Sequence, residues 1–217
     1  MDIELSKLLN ELNNIYTKSD ISKYCLNNGH KWSYSLVTST LEKNGPLVIG
    51  FNWGASKGEE YGPQTEIKKA NFLTEDIGSL SRIYPFCRKH FGDDFISKIT
   101  QSNYCFFRSH NESQISSKDI ELCEPIFEKL ISIIEPSIIL CFSSKLRDSI
   151  IRSGKIKSLE KLEIEYDRGS LKMTYCAIKA TLKSGVKISF LPHPNYPIKG
   201  EARIKAWDFC CGQIKSD

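Results

Sequence analysis

The chain has 217 residues, of which 40% are hydrophobic and 26% charged, and its formal net charge is +4. This composition is typical of a globular protein, and the length is enough for one large domain with a sizeable core. Because no apolar run reaches the roughly 20 residues of a membrane span, and the first residues lack a secretory signal, we expect a soluble protein inside the cell, in the cytoplasm, nucleoid or nucleus.

Hydrophobic periodicity predicts helices alternating with strands along the chain. The predicted elements are a helix over 3–16, a strand over 46–51, a strand over 102–107, a helix over 117–135, a strand over 138–142, a helix over 144–153, a hairpin-like edge pair over 162–166 and 174–181, a strand over 186–191 and a helix over 200–214. This order predicts an α/β fold, a three-layer α/β/α sandwich with a mostly parallel central sheet of about four strands, in a single domain over 1–217. Ligands of such folds bind at the carboxyl ends of the strands.

A glycine-bracketed segment follows the first predicted strand, with the sequence Gly50-Phe51-Asn52-Trp53-Gly54. Tight backbone geometry at a strand end can direct a polar side chain such as Asn52 into a cleft. The segment lacks the pattern of a phosphate-binding P-loop. Taken alone, it is equally typical of a turn in which Asn52 caps its own backbone.

The second predicted strand contains Asn103-Tyr104-Cys105, which places an amide beside aromatic side chains. An amide offers one donor and one acceptor group, and aromatic rings offer stacking surfaces, as a nucleobase site requires. A core strand in which Asn103 binds local backbone groups would explain the segment equally well.

A histidine lies between two prolines after the last predicted strand, in Pro192-His193-Pro194. Proline restricts both itself and the preceding residue, so His193 has little conformational freedom, which suits a group that must meet a reacting atom. A proline-rich connector with an exposed histidine is the alternative.

Together these motifs, in this order, resemble those of the uracil-DNA glycosylase superfamily, most closely its single-strand-selective monofunctional branch. That branch has Gly-Met-Asn-Pro-Gly, Asn-Tyr-Cys and His-Pro-Ser at the corresponding places. The resemblance covers roughly residues 45–207 and includes the helix, proline and strand that run from Cys123 to Phe142. The chain departs from the pattern at Trp53, where the family has proline, and at Asn195, where it has serine.

The resemblance implies a role for each motif residue. Asn52 would position the attacking water, His193 would stabilise the departing base, and Asn103 would bind the base edge. Further base-binding candidates are Gly50, Phe51, Trp53 and Tyr61.

The loop after the histidine has an apolar tip flanked by cations that could insert into a duplex and bind phosphates, although an ordinary helix-entry loop is an even alternative. The DNA-binding candidates are Tyr196, Lys199, Arg203 and Lys205.

Charge and cysteine patterns bear on partners and cofactors. Residues 145–217 carry 15 Lys and Arg against 8 Asp and Glu, which suits DNA, although on charge alone a solvated lysine-rich surface is the better explanation. Eight cysteines occur without a Cys-x-x-Cys pair, so we expect reduced thiols, no metal and no cofactor. We also expect a monomer.

These observations predict a monofunctional DNA glycosylase of base-excision repair, a hydrolase that releases uracil or a modified pyrimidine flipped out of DNA. No lysine lies in the motif loops before Lys57 and Lys199, which disfavours a Schiff-base mechanism. The main alternative is a non-catalytic DNA- or protein-binding module that keeps the fold, with Trp53 filling the pocket. A small-molecule α/β enzyme is the third hypothesis.

Overall fold

The structure is a computed structural model that describes residues 2–37, 41–65 and 78–212. Helices and strands alternate along these ranges. The helices are α1 Asp2–Tyr16, α2 Asp20–Asn27, α3 Tyr84–Phe91, α4 Asp93–Ser97, α5 Ser117–Ile134, α6 Ser144–Arg152 and α7 Gly200–Cys211. The strands are β1 Leu47–Gly54, β2 Thr100–Ser109, β3 Ile138–Cys141, β4 Ile156–Arg168, β5 Leu171–Leu182 and β6 Lys187–Phe190. No helix in the described ranges is long and apolar enough to cross a membrane.

The six strands form one sheet in the order β2-β1-β3-β6-β5-β4. The sheet is mostly parallel, which confirms the predicted α/β class. β3 runs parallel to β6, with Ile138 opposite Lys187, whereas β5 runs antiparallel to both β6 and β4. The prediction of about four strands is wrong because the edge hairpin is not separate: β5 pairs with β6 and so joins β4 to the sheet.

The chain packs into two compact units that interleave along the sequence. The first comprises Met1–Asn44, Ile49–Ala70 and Thr100–Glu135, and the second comprises Gly45–Val48, Asn71–Ile99 and Pro136–Asp217. The single domain expected over 1–217 stays a prediction.

The first unit is organised around α1, α5 and β2. The predicted apolar face of α1 is confirmed, since Leu5, Leu8, Leu9 and Leu12 are all buried. The predicted start of α5 is also confirmed, because the Ser116 hydroxyl accepts from the Asp119 amide at the helix N-terminus.

Asp119 joins two helix starts in this unit. Its carboxylate is fully buried and accepts backbone N–H bonds from Asp20 and Ser116, at 2.8 and 2.9 Å, and a longer one from Ile21. One side chain therefore caps the N-termini of both α2 and α5, where backbone N–H groups lack helical partners.

The second unit carries the last core strand and the helix that follows it. Trp207 and Ala206 on α7 are fully buried. α7 begins at Gly200, as predicted, but it ends at Cys211, where Gly212 is an extended C-cap, so the predicted helix end at 214 is wrong; residues 213 and 214 lie outside the described residues. The loop 191–199 thus begins at the buried strand β6 and ends at the helix α7.

Candidate functional site

Asn103 on β2 lies directly against Gly50 on β1, within the first unit. The Asn103 residue is only 5% exposed, and a Cβ atom built on Gly50 would lie 2.5 Å from its Oδ1 atom. Any side chain at position 50 would therefore collide with the amide. Within the described part of the chain, no group hydrogen-bonds to this amide. Neither polar atom of this amide is among the fully buried atoms that lack a partner, so both keep contact with solvent and can bind a ligand or water.

Asn52 is held at the end of β1 by its amide nitrogen. Nδ2 donates to the Trp53 carbonyl oxygen at 2.9 Å and to the Ser109 hydroxyl at 2.8 Å. Because a carbonyl only accepts, the first bond fixes which end of the amide is nitrogen. Ser109 is 1% exposed and donates in turn to the Asn111 carbonyl oxygen at 2.8 Å. The described residues provide no donor to the Asn52 Oδ1 atom, which leaves an oriented acceptor on a half-buried side chain.

Trp53, the first departure from the family pattern, is packed into the first unit. It is 7% exposed, and its indole nitrogen donates to the Ser35 carbonyl oxygen. The Arg108 guanidinium carbon lies 5.8 Å from the Trp53 ring centroid, and the same group donates to Ser35 and to the Gly54 carbonyl oxygen. Burial lowers the pKa of Arg108, although the group stays charged. The Trp53 side chain is therefore held by contacts with residues of the first unit.

The two other aromatic candidates have different surroundings. The Tyr61 ring lies 4.7 Å below the Arg108 guanidinium, and its hydroxyl donates to Glu59. Phe51 is 5% exposed in the interior of the sheet. Tyr61 therefore stacks with a cation, and its stacking with a base stays a prediction, as does that of Phe51.

His193 lies in the second unit, exposed on the loop after β6. Its Nδ1 atom accepts the backbone N–H of Asn195 at 3.1 Å, and its carbonyl oxygen accepts the backbone N–H of Tyr196 at 2.8 Å, which closes a turn. Because the Asn195 N–H can only donate, Nδ1 is unprotonated, and the proton of the neutral ring resides on Nε2. Two backbone hydrogen bonds thus fix the orientation of His193 within its loop.

Arg203 holds this loop from the first turn of α7. Its guanidinium lies within hydrogen-bonding distance of five backbone carbonyl oxygens, at 2.8 to 3.4 Å, those of Pro192, His193, Pro194, Tyr196 and Ile198. Burial lowers its pKa, and Tyr175 opposes that shift. Arg203 was predicted to bind phosphate. In the structure its guanidinium binds carbonyl oxygens of its own loop.

The other DNA-binding candidates are exposed. Tyr196 is 39% exposed, with its ring 5.7 Å from that of Tyr175 and its hydroxyl 3.4 Å from that of Tyr166. Lys199 and Lys205 are exposed at the start and middle of α7. All three can reach an external partner.

Asn195, the second departure from the family pattern, is bound by its side chain. The Arg82 guanidinium donates to its Oδ1 atom at 2.6 Å. Both residues belong to the second unit. The hydrogen bond between Arg82 and Asn195 therefore also fixes the loop between β6 and α7.

The structure brings the predicted residues together in two sets. Gly50, Asn52 and Asn103 lie at neighbouring places in the first unit, and His193, Tyr196 and Arg203 share one loop of the second. Ser109, Arg108 and Arg82 were not predicted. Ser109 and Arg108 end the same strand as Asn103, a position that could have indicated them, whereas nothing in the sequence distinguishes Arg82.

The second unit also contains a cavity of about 290 Å³, where β3 and β6 begin. Lys179, Lys187 and Ser189 contribute to its wall, and none of the predicted site residues lines it. Within the described ranges, no three His, Cys, Asp or Glu side chains converge to hold a metal ion. In comparisons with known proteins, no family model and no curated protein matches the chain.

Proposed function

We propose that the protein is a monofunctional DNA glycosylase that hydrolyses the N-glycosidic bond of uracil or a modified pyrimidine flipped out of DNA. The observation that carries this proposal is the Asn103 amide, which is 5% exposed, lies against Gly50 and has no protein partner among the described residues. The three-layer arrangement, the intracellular location and DNA as the partner belong to the same proposal.

The Asn103 amide suits one edge of a pyrimidine. It can accept from N3–H of uracil and donate to O4, whereas cytosine presents the opposite pattern. A base that enters the site takes solvent away from the amide, and an amide then left unpaired costs about 1–3 kcal/mol, a cost that a base with the matching pattern avoids. A base lacking this pattern would be rejected, because the buried groups would stay unpaired.

Asn52 suits the placement of the attacking water. Its nitrogen is committed to Trp53 and Ser109, so its oxygen is the atom that can accept from a water molecule. An amide is a poor base, which means that the reaction depends on positioning and on the cation-like character of the sugar in the transition state.

His193 suits the stabilisation of the leaving base. As the glycosidic bond breaks, negative charge develops on a base oxygen, and the Nε2–H of a neutral imidazole can donate to it. The hydrogen bonds from Arg203 to the loop carbonyl oxygens, and the bond from the Asn195 N–H to Nδ1, hold the His193 loop in place before the reaction begins. Neither the β1 segment from Gly50 to Gly54 nor the loop from Leu191 to Ile198 contains a lysine, which supports hydrolysis without a covalent intermediate.

The packing of Trp53 supports the catalytic alternative over the non-catalytic module. That module was suggested by a tryptophan that fills the base pocket, and here the indole binds Ser35 and contacts Arg108.

The experiment that tests the proposal is a base-release assay on oligonucleotides that each carry one defined lesion, in single- and double-stranded form. We expect release of a pyrimidine base and an intact abasic strand that is cleaved only after alkali treatment. An Asn103→Asp variant should lose activity on uracil and gain tolerance of cytosine. Binding of lesion DNA without release of any base would favour the non-catalytic module.

Replacing Ser109 with alanine is expected to lower kcat by about tenfold, because one of the two anchors of the Asn52 amide is removed. The substrate Kd should stay unchanged, since Ser109 acts through Asn52 and not on the base. Single-turnover kinetics measure both quantities. Ser113→Ala, at an exposed serine of the same connection, is the matched control. An equal loss in both variants would mean that Ser109 only supports the local fold.

Reversing the charges of Lys199 and Lys205 to glutamate is expected to weaken binding to every DNA sequence tested. The slope of log Kd against log salt should fall by about one for each phosphate that the variant no longer neutralises. Arg203→Gln should leave that slope nearly unchanged and lower the melting temperature, because its guanidinium binds loop carbonyls. Fluorescence anisotropy across a salt series measures the slopes, and lysine variants with the parent slope would place the DNA-binding surface elsewhere.

A further inference from the structure

β4 is an edge strand and, with 13 residues, the longest strand of the described sheet. It runs from Ile156 to Arg168 and pairs along one side with β5. It ends the strand order, and within the described residues no segment pairs with its other side. The opposite edge strand differs, since two isolated bridges, Tyr34 to Phe107 and Val37 to Ser102, cover β2. An uncovered edge of this length presents a row of unpaired backbone groups to another strand.

The exposed side chains along this edge include charges of both signs. Lys161 and Glu163 flank Leu162, which is 39% exposed, and Lys157 and Asp167 lie further out on either side. None of these four charged groups has an ion-pair or hydrogen-bond partner among the described residues. Elsewhere on the hairpin such a charge is paired, since Glu160 binds Lys179 across the strands at 3.1 Å.

We infer that β4 pairs antiparallel with β4 of a second copy of this chain, about a twofold axis at Leu162. In that register Leu162 faces its own copy, and Lys161 of each chain faces Glu163 of the other. Lys157 of each chain likewise faces Asp167 of the other. The exposed charges of one β4 strand therefore match opposite charges on the β4 strand of the second chain. Opposite charges directly across an antiparallel pair stabilise the pair.

The charge pattern selects this register over its neighbours. An axis at Lys161 would place two lysines opposite each other, and an axis at Glu163 would place two glutamates opposite each other. An axis at Glu160 would place that glutamate opposite its own copy. An axis at Ile164 would place Glu163 of each chain opposite Glu165 of the other. Like charges directly opposite destabilise a pair, so among these five axes only the one at Leu162 is free of such a clash.

The bulge in β4 does not disturb the central pairs. The only irregularity in its ladder with β5 lies between Ile156 and Ser158, beside Lys157. The stretch from Ser158 to Arg168 is regular, and it contains Lys161, Leu162 and Glu163. The pairs nearest the axis thus decide whether two chains associate. The inferred dimer differs from the monomer expected from the sequence, and the oligomeric state in solution decides between the two.

Sedimentation equilibrium of the full chain at low salt tests the inference, with a dimer of twice the 24.7 kDa chain mass as the expected result. Glu163→Lys should raise the dimer dissociation constant about 10- to 100-fold, because it opposes lysines at two places. The double variant Lys161→Glu, Glu163→Lys exchanges the charges and should restore the parent constant. A monomeric mass at the highest concentration reached, or a dimer that Glu163→Lys leaves unchanged, would overturn the inference.

Cross-linking checks the register independently. A cysteine at position 162 would face its own copy across the axis, so Leu162→Cys should form a disulfide-linked dimer under mild oxidation. Glu165→Cys, three residues further along the same exposed strand, is the matched control and should stay unlinked. Equal linking of both variants, or none in Leu162→Cys, would contradict an axis at Leu162. The inference is independent of the proposed glycosylase activity, since its measurements need no DNA.

Discussion

Replacing Gly50 with alanine is expected to lower kcat/KM for base release by about 10²-fold, because the new methyl group displaces the amide of Asn103. A Cβ atom there would lie 2.5 Å from Oδ1, a separation that requires one of the two groups to move. The amide is the group expected to move, since no described residue hydrogen-bonds to it, whereas Gly50 is fixed within β1. The loss should appear on the preferred base and be smaller on bases that the amide does not recognise.

Gly54→Ala is the matched control for this variant. Gly54 ends the same strand, and a Cβ atom built on it has no neighbour within 4 Å. The substitution should therefore leave kcat/KM near the parent value. Melting temperatures of both variants separate a local effect from a loss of fold. If Gly50→Ala kept full activity while remaining folded, Asn103 would have no part in base binding.

Replacing His193 with alanine is expected to reduce turnover by a factor on the order of 10²–10³, with little change in substrate binding. The reason is that the Nε2–H donor interacts with charge that exists only as the base departs. His193→Gln should recover part of the loss, because its amide can place an N–H donor at a similar reach. His193→Asn is shorter and should recover none. A full rate in His193→Ala would falsify the proposed mechanism.

A double-variant cycle tests whether His193 and Asn52 serve the same chemical step. Asn52→Ala should also slow that step, because it removes the acceptor for the attacking water. If both groups act in one transition state, the double variant should be less impaired than the product of the two single effects. Multiplicative losses in single-turnover kinetics would show that the two residues act independently.

The positions of most strands followed from the sequence because each is a short apolar run bounded by turn residues. β1, β2, β3 and β6 all overlap their predicted ranges. The length of β4 did not follow, since Lys157 to Glu163 are largely exposed on both faces and show no two-residue periodicity. An exposed hairpin strand is stabilised by its ladder with β5, and a ladder partner cannot be inferred from a polar segment alone.

The candidate site was predictable as a set of residue types but not as a set of contacts. Asn52 and His193 were predicted from motifs that follow predicted strands, and Asn103 from a motif within one. That Gly50 makes room for Asn103 depends on how two strands lie beside each other, which no local pattern specifies. Arg203 shows the same limit, because an arginine at a helix start has the same sequence signature whether it faces phosphates or carbonyls.

The five carbonyl oxygens around the Arg203 guanidinium affect how the loop between β6 and α7 opens. One guanidinium bridges five peptide groups. No single peptide group can therefore move away without disturbing the Arg203 side chain that the other four also bind. The loop and the first turn of α7 should therefore exchange their amide hydrogens together, as one cooperative unit, and not by gradual fraying. The Tyr196 amide, which closes the turn on His193, would then report in hydrogen exchange the free energy of releasing that whole unit.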